Sequence, residues 1–175
     1  GNLQSLSEQQ LVDCSKQNSG CNGGLMDYAF SFYETAAVAS ESSYPYTARG
    51  GTCKTSFTTA IPSGSVTGFK DISNEAGLLD AVSNVGPISV AIEADQSSFQ
   101  LYNSGVLTGT CGTSLDHGVL AVGFGTSGGT DYWKVKNSWG ASWGMDGYIL
   151  LARGSDYGKA GQCGILSGPP SYPTL

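Results

Sequence analysis

From about Gly68 onward the chain is written as short apolar runs cut by glycine: ISVAIEA, GVLAVGF, YWKVKN and GYILLA. Runs of this length, rich in β-branched and aromatic residues and bounded by glycine, read as strands. GVLAVGF and YWKVKN are joined by TSGGT, a hairpin-type loop, so they are neighbours in one antiparallel sheet. The front third follows a different pattern. Ser7-Glu8-Gln9-Gln10 has the form of a capping box that opens a short helix carrying Leu11 and Val12. Cys21-Asn22-Gly23-Gly24 reads as a turn, and in LMDYAFSFYETAAVA the residues Leu25, Ala29, Phe32 and Ala36 fall at helical spacing. Pro45 ends that region, GGTCKTSFTTAIPSGS reads as surface loop, and Ser73 can cap a helix through Asn84. Helices first and strands later predict an α+β fold in two lobes.

The first strand of the hairpin is preceded by His117, the only histidine in 175 residues. Folding the chain back about Ser127 sets His117 opposite Asn137; a turn centred one residue later sets it opposite Trp139. Either way the three side chains share a face, because side chains alternate with period two. An odd shift would break this, and pattern alone leaves it open. Directly opposed residues have Cβ atoms roughly 5 Å apart, within side-chain hydrogen-bonding reach. An Asn carbonyl accepting from one imidazole nitrogen fixes the tautomer and aims the other nitrogen at a reacting group. A tryptophan beside the pair keeps water from competing. The plain alternative is a core histidine that happens to sit in a hairpin.

Composition narrows the partners. Charged residues make up 13% and the net charge is −6, which argues against nucleic acid or an anionic membrane as the main partner. No apolar run approaches a membrane span, and GNLQSLSEQQ lacks the features of a signal peptide. The five cysteines contain no C-x-x-C and form no zinc pattern with one histidine, so neither metal nor cofactor is expected. Spaced cysteines in a lysine-poor chain favour disulfides and an oxidising compartment over buried cytosolic thiols, and an odd number leaves at least one without a partner in the chain.

The segments SLSEQQLVDC, GCNGGLMDYAF, SYPY, VGPISVAI, LDHGV, KNSWG with WGMDGY, and CGILSGPPSYPTL resemble, in family order and over essentially the whole chain, the papain-like cysteine proteases, most closely the cathepsin L group. The resemblance implies a two-lobe α+β fold: a helical left lobe over 1–70, incomplete here, a β-barrel-like right lobe over 71–167, a C-terminal return to the left lobe over 168–175, and an active site between the lobes. It implies that His117 is the catalytic base and later acid, that Asn137 orients it, and that Trp139 shields the pair. The family's nucleophile lies in a C-G-S-C-W type motif preceded by an oxyanion-hole glutamine, and no Cys here is followed by Gly, Ser or Ala, then Cys. His117 is thus a base for a thiol carried by a segment absent from this sequence. By resemblance Cys14 pairs with Cys53, Cys111 with Cys163, and Cys21 with a cysteine in the absent segment.

The same resemblance makes Gly23 and Gly24 the backbone that an extended peptide meets, and assigns Asp116 to the substrate-binding set. It lines the pocket for the residue two before the cut (P2) with Leu25, Met26, Ala91, Gly118 and Gly168. These are apolar or small, so bulky uncharged side chains are expected there. No His-rich insertion of the kind that blocks the cleft in family exopeptidases is visible, which favours an endopeptidase acting on proteins or peptides. The implied partners are an N-terminal segment or light chain bearing the nucleophile, a propeptide and cystatin-type inhibitors; the implied location is a lysosome, vacuole or the extracellular space. A homologue without the nucleophile that only binds peptides or a partner is the competing reading, and a storage protein that kept the fold is a weaker third.

Overall fold

A computed structural model of the chain describes residues 2–175, which divide into two compact units. One runs through Lys70 and includes Pro173–Leu175; the other is Asp71–Tyr172. Residues 168–172 stay with the second unit because Ile72 N–H donates to Pro170 O at 2.8 Å and Ser171 pairs with Ser89.

The first unit is built from α1 (Glu8–Cys14), α2 (Met26–Thr35), and the short antiparallel pair β1 (Val38–Ala39) and β2 (Thr59–Ile61). Ser7 caps α1, its hydroxyl accepting from Gln10 N–H at 3.0 Å. The reciprocal half of the capping box is not made. The Gln10 side chain instead accepts from Ala39 N–H and donates to Ala37 O, so it ties β1 to the helix. Leu11 and Val12 are only half-buried, whereas Gln9 and Gln10 face inward at 2% exposure each. Buried amides are tolerated because every polar atom finds a partner: Gln9 donates to Asp13 and Arg49 O and accepts from Thr47 N–H. A disulfide joins Cys14 to Cys53 beside this network. Burial pushes the Asp13 carboxyl up, but the Tyr44 hydroxyl, the Gln9 amide, the Gly51 N–H and the Lys54 charge together hold it below the usual carboxylate range.

α2 starts one residue after Leu25, which is its N-cap, and stops before Ala36. The helical spacing of Leu25 and Ala36 thus overshoots both ends. Val38 and Ala39 leave the helix because there they are fully buried in pairing with β2. None of the ten residues of α2 is buried, although it carries Tyr28, Phe30, Phe32 and Tyr33.

The second unit holds α3 (Glu75–Asn84), β4 (Ile88–Ile92), α4 (Ser97–Gln100), β5 (Val106–Leu107), β6 (His117–Ser127), β7 (Thr130–Lys136) and β8 (Tyr148–Ala152). Asn74, not Ser73, caps α3, accepting from Gly77 N–H at 2.8 Å. With β3 (Gly68–Asp71) and β9 (Ser171–Thr174), where the chain passes between units, the sheet order is β3-β9-β4-β6-β7-β8-β5. The β4/β6, β6/β7 and β7/β8 pairs are antiparallel and β5/β8 is parallel. The class is α+β. Alternation is plain along β4, where Ile88, Val90 and Ile92 are fully buried and Ser89 and Ala91 are not. These residues pack with Leu78 of α3, Trp133 and Val135 of β7, and Ile149 and Leu151 of β8. No helix among the described residues is long and apolar enough to cross a membrane.

The hairpin register settles the parity question. Ser127 opposes Thr130 across Gly128 and Gly129, both at positive φ (58° and 81°), as a two-residue primed turn requires. Continued without interruption, that pairing would set His117 opposite Gly140, an odd shift from both registers that keep it on the face of Asn137 and Trp139. Pairing shifts between Ala121 and Gly123, so Val122 is unopposed, and from there Ala121 faces Val135 and Leu120 faces Lys136. A bulge absorbs one residue and so restores the parity.

Candidate active site

His117 opens β6 and opposes Ile92 of β4. β7 ends at Lys136, so Asn137 lies just past it, its N–H held by Gly147 O at 3.0 Å. Ladder pairing stops short of the two residues, yet their side chains meet: His117 Nε2 and Asn137 Oδ1 are 2.8 Å apart. The same Oδ1 accepts from Ser138 N–H at 2.8 Å. An atom that accepts from a backbone amide must be the oxygen, so the amide orientation is settled. The imidazole nitrogen facing it must then carry the hydrogen. Nε2–H donates to Asn137, and Nδ1 keeps its lone pair. Among the described residues Nδ1 has no hydrogen-bond partner, so it can take a proton from a group brought against it. Ser138 contributes only a backbone amide, which is why residue types alone did not single it out.

The Trp139 ring lies 5.2 Å from the His117 ring, tilted by 31°. It stands edge-on to buried Phe99 at 5.5 Å and to Trp143 at 5.3 Å, while Trp143 donates its indole N–H to Gln100 O. This aromatic stack fixes Trp139, itself 40% exposed, over one face of the imidazole. Asn137 beneath is 8% exposed, so the hydrogen bond is largely out of water and correspondingly stronger.

The remaining expected site residues fall in both units. In the first, Gly23, Gly24 and Leu25 border a cavity of about 190 Å³ shared with Leu11 and Val12. Gly23 already donates its N–H to Gly20 O and accepts from Ser19 N–H. Gly24 has Asn18 so close that a Cβ would meet the Asn18 Oδ1 at 2.0 Å. Leu25 is 54% exposed and Met26 half-buried. Cys21 is exposed and makes no disulfide.

In the second unit, Ala91 faces Gly118 across β4 and β6, and a Cβ on Gly118 would meet nothing within 4 Å. A Cβ on Gly168 would come 4.0 Å from Ala91 and 2.9 Å from Leu115 Cδ1. Leu115 thus joins this apolar surface although it was not among the expected lining. The signal was present: it is the one large apolar residue in the loop TCGTSLDH. Asp116 is exposed but tied back to the end of β4, its Oδ1 accepting from Ala94 N–H at 2.8 Å. A second disulfide joins Cys111 to Cys163.

The chain is similar to proteins of one known family. The sequence profile described as papain family cysteine protease matches residues 1–173. The thiol protease SEN102 of Hemerocallis sp. is 53% identical over 99% of the chain, and vignain of Ricinus communis is 54% identical over 98%; the chain spans only 48% of each. Among solved structures, the bromelain protease of Ananas comosus in complex with the E64 inhibitor superposes with TM-score 0.86 at 47% identity, covering all of this chain and 80% of that one. The proform of the ragweed pollen allergen Amb a 11 superposes with TM-score 0.92 at 39% identity, covering all of this chain and 54% of that one.

Proposed function

Because the chain belongs to the papain family of cysteine proteases, we propose that it is the larger part of a cysteine endopeptidase whose nucleophile is carried by a segment outside these residues. The observation that carries the reading is the His117–Asn137 hydrogen bond with Nδ1 left free. A cysteine thiol against Nδ1 loses its proton to it, and the imidazolium is held by Asn137 through Nε2–H. The thiolate attacks the scissile carbonyl carbon. The C–N bond breaks as His117 returns the proton to the leaving amine, which leaves an acyl thioester. Water, deprotonated by His117, then displaces the thiol and releases the carboxylic acid.

Two features support a separate nucleophile segment. No C-G-[SA]-C occurs in the 175 residues, and α2 presents aromatic residues with none of its positions buried. Cys21, exposed and unpaired among the described residues, is the proposed anchor for that segment. The two disulfides fit a vacuolar or extracellular location. A propeptide and cystatin-type inhibitors are the proposed regulators. The competing reading is a peptide-binding homologue without activity.

One experiment separates them. The chain is prepared with and without a synthetic segment bearing the family's motif, and both samples are treated with a thiol label and an epoxide active-site probe. The endopeptidase reading expects one reactive cysteine, weakly cooperative melting and no probe labelling for the chain alone, and labelling once the segment is added. Cooperative melting of the chain alone with no labelling in either sample would establish the inactive homologue.

The proposed specificity is for bulky apolar residues at P2. Ala91, Gly118, Gly168 and Leu115 form an uncharged surface in the second unit, and by resemblance Leu25 and Met26 serve the same preference. In the assembled enzyme, fluorogenic peptides with Phe or Leu at P2 should be cut with kcat/KM at least about tenfold above the Arg peptide, since a buried charge needs a partner. Gly168→Glu should admit Arg once Leu115 has yielded to the new side chain. Equal kcat/KM for all three peptides in the parent enzyme would remove the assignment.

A further inference from the structure

Glu93, one residue past β4, is 6% exposed although it carries a carboxylate. A carboxylate so enclosed requires donors, and it has several. Ser114 N–H donates to Oε2, Gln96 Nε2 donates to Oε1 at 2.9 Å, and the Thr113 amide adds to these. The Ser114 amide above all, with Gln96 and Thr113, holds the carboxyl below the usual carboxylate range, while burial works in the opposite direction. The backbone closes on it as nearly as glycine permits. Gly112 sits at φ +78°, and a Cβ there would lie 2.2 Å from Oε1.

The loop held in this way leads straight to the proposed base. It begins at Cys111, whose disulfide partner Cys163 accepts through its carbonyl oxygen from Glu93 N–H at 2.8 Å. It ends where Asp116 N–H donates to Ile92 O at 3.0 Å and Asp116 Oδ1 accepts from Ala94 N–H. The next residue is His117. Between the carboxylate clamp and that tie lies Leu115, set against Gly164 and Gly168. No other side chain bonds the Thr113–Ser114 backbone among the described residues, so the path from Gly112 to Leu115 depends on Glu93.

We propose that Glu93 is a positioning residue: its carboxylate sets the course of residues 112–116, and through them the placement of His117 for proton transfer and of Leu115 for choosing the substrate side chain. This rests on the endopeptidase reading. A purely structural carboxylate would affect the yield of folded enzyme and nothing else, and that difference is measurable.

The test uses the assembled enzyme, with active sites counted by titration with an epoxide inhibitor, and the variants Glu93→Ala and Glu93→Gln. For Glu93→Ala, kcat/KM per titrated site should fall about tenfold to a hundredfold, the scale expected for misplacing a catalytic group by about an ångström. The ratio of kcat/KM for the Phe and Leu peptides at P2 should change, and the Nε2 proton resonance of His117, unambiguous in a chain segment with one histidine, should move or broaden. Glu93→Gln keeps one acceptor oxygen and should fall between the parent and the alanine variant on all three measures. Parent-like values within twofold, with the same P2 ratio and an unmoved resonance, would overturn the proposal. Should the alanine variant yield no titratable sites, the glutamine variant is judged by the same criteria. A parent enzyme that cuts no peptide would defeat the protease reading instead, and the His117 resonance in the variants would then decide the positioning role alone.

Discussion

Replacing His117 with alanine in the assembled enzyme is expected to lower kcat for peptide hydrolysis by at least about 10²–10⁴-fold. A general base contributes that much by itself, and more where it also stabilises the nucleophile's anion. The expectation rests on geometry. One imidazole nitrogen is committed to Asn137 Oδ1 at 2.8 Å, the other is free, and Trp139 covers the ring. The 175 residues hold no second histidine to take over the role. Asn137→Ala should cost less, about tenfold to a hundredfold, because it removes orientation without removing the proton acceptor. Both values are to be read as kcat per mole of enzyme shown to melt with the parent's cooperative transition, so that misfolded protein does not count as lost chemistry. A His117→Ala enzyme that kept more than a tenth of the parent's kcat would refute the assignment.

The second large effect is on stability. Trp133→Ala in the assembled enzyme should cost about 3–5 kcal/mol, the range for deleting a buried aromatic side chain, and lower Tm by roughly 10 °C or more. Trp133 is fully buried at the middle of β7, paired with Phe124 on β6 and Leu151 on β8. Phe124 meets it edge-on, with centroids 6.3 Å apart. The Arg153 guanidinium lies 5.4 Å from its centroid while bridging to Asp131 at 3.2 Å. Alanine would leave a cavity in the sheet's packed face and remove the aromatic surface on which Arg153 rests, so cation–π and packing terms are lost together. Trp133→Phe, which keeps an aromatic ring, should cost less. Calorimetric melting of the two variants checks both statements, and a Tm for Trp133→Ala within about 2 °C of the parent would contradict them.

Much of this was legible from residue order. The strands ISVAIEA, YWKVKN and GYILLA could be read because side-chain alternation is a property of the backbone, present before any tertiary contact forms. Ser7 was legible as a cap for the same local reason, since its hydroxyl needs only the amide three residues on. Counting along the hairpin offered Asn137 and Trp139 as partners of His117 and left an odd shift open, so it named the candidates without fixing the register. The motif resemblance then assigned their roles.

Other features were decided by packing at a distance. Gln9 and Gln10 look like solvent-facing helix residues, yet their amides are satisfied by Ala37, Ala39, Thr47 and Arg49, which no helical pattern indicates. The hairpin turn alone would have set His117 on the wrong face. The bulge at Val122 corrects it, and a bulge sits where burying Ala121, Trp133 and Val135 together outweighs one lost ladder pair. The tautomer of His117 depends on the Ser138 amide, the apolar surface gains Leu115, and the loop before the base is held by Glu93. Residue type, cap and alternation are short-range properties written in consecutive residues. Register parity, proton placement and the seating of a buried carboxylate are differences between whole packings, so only the folded chain determines them.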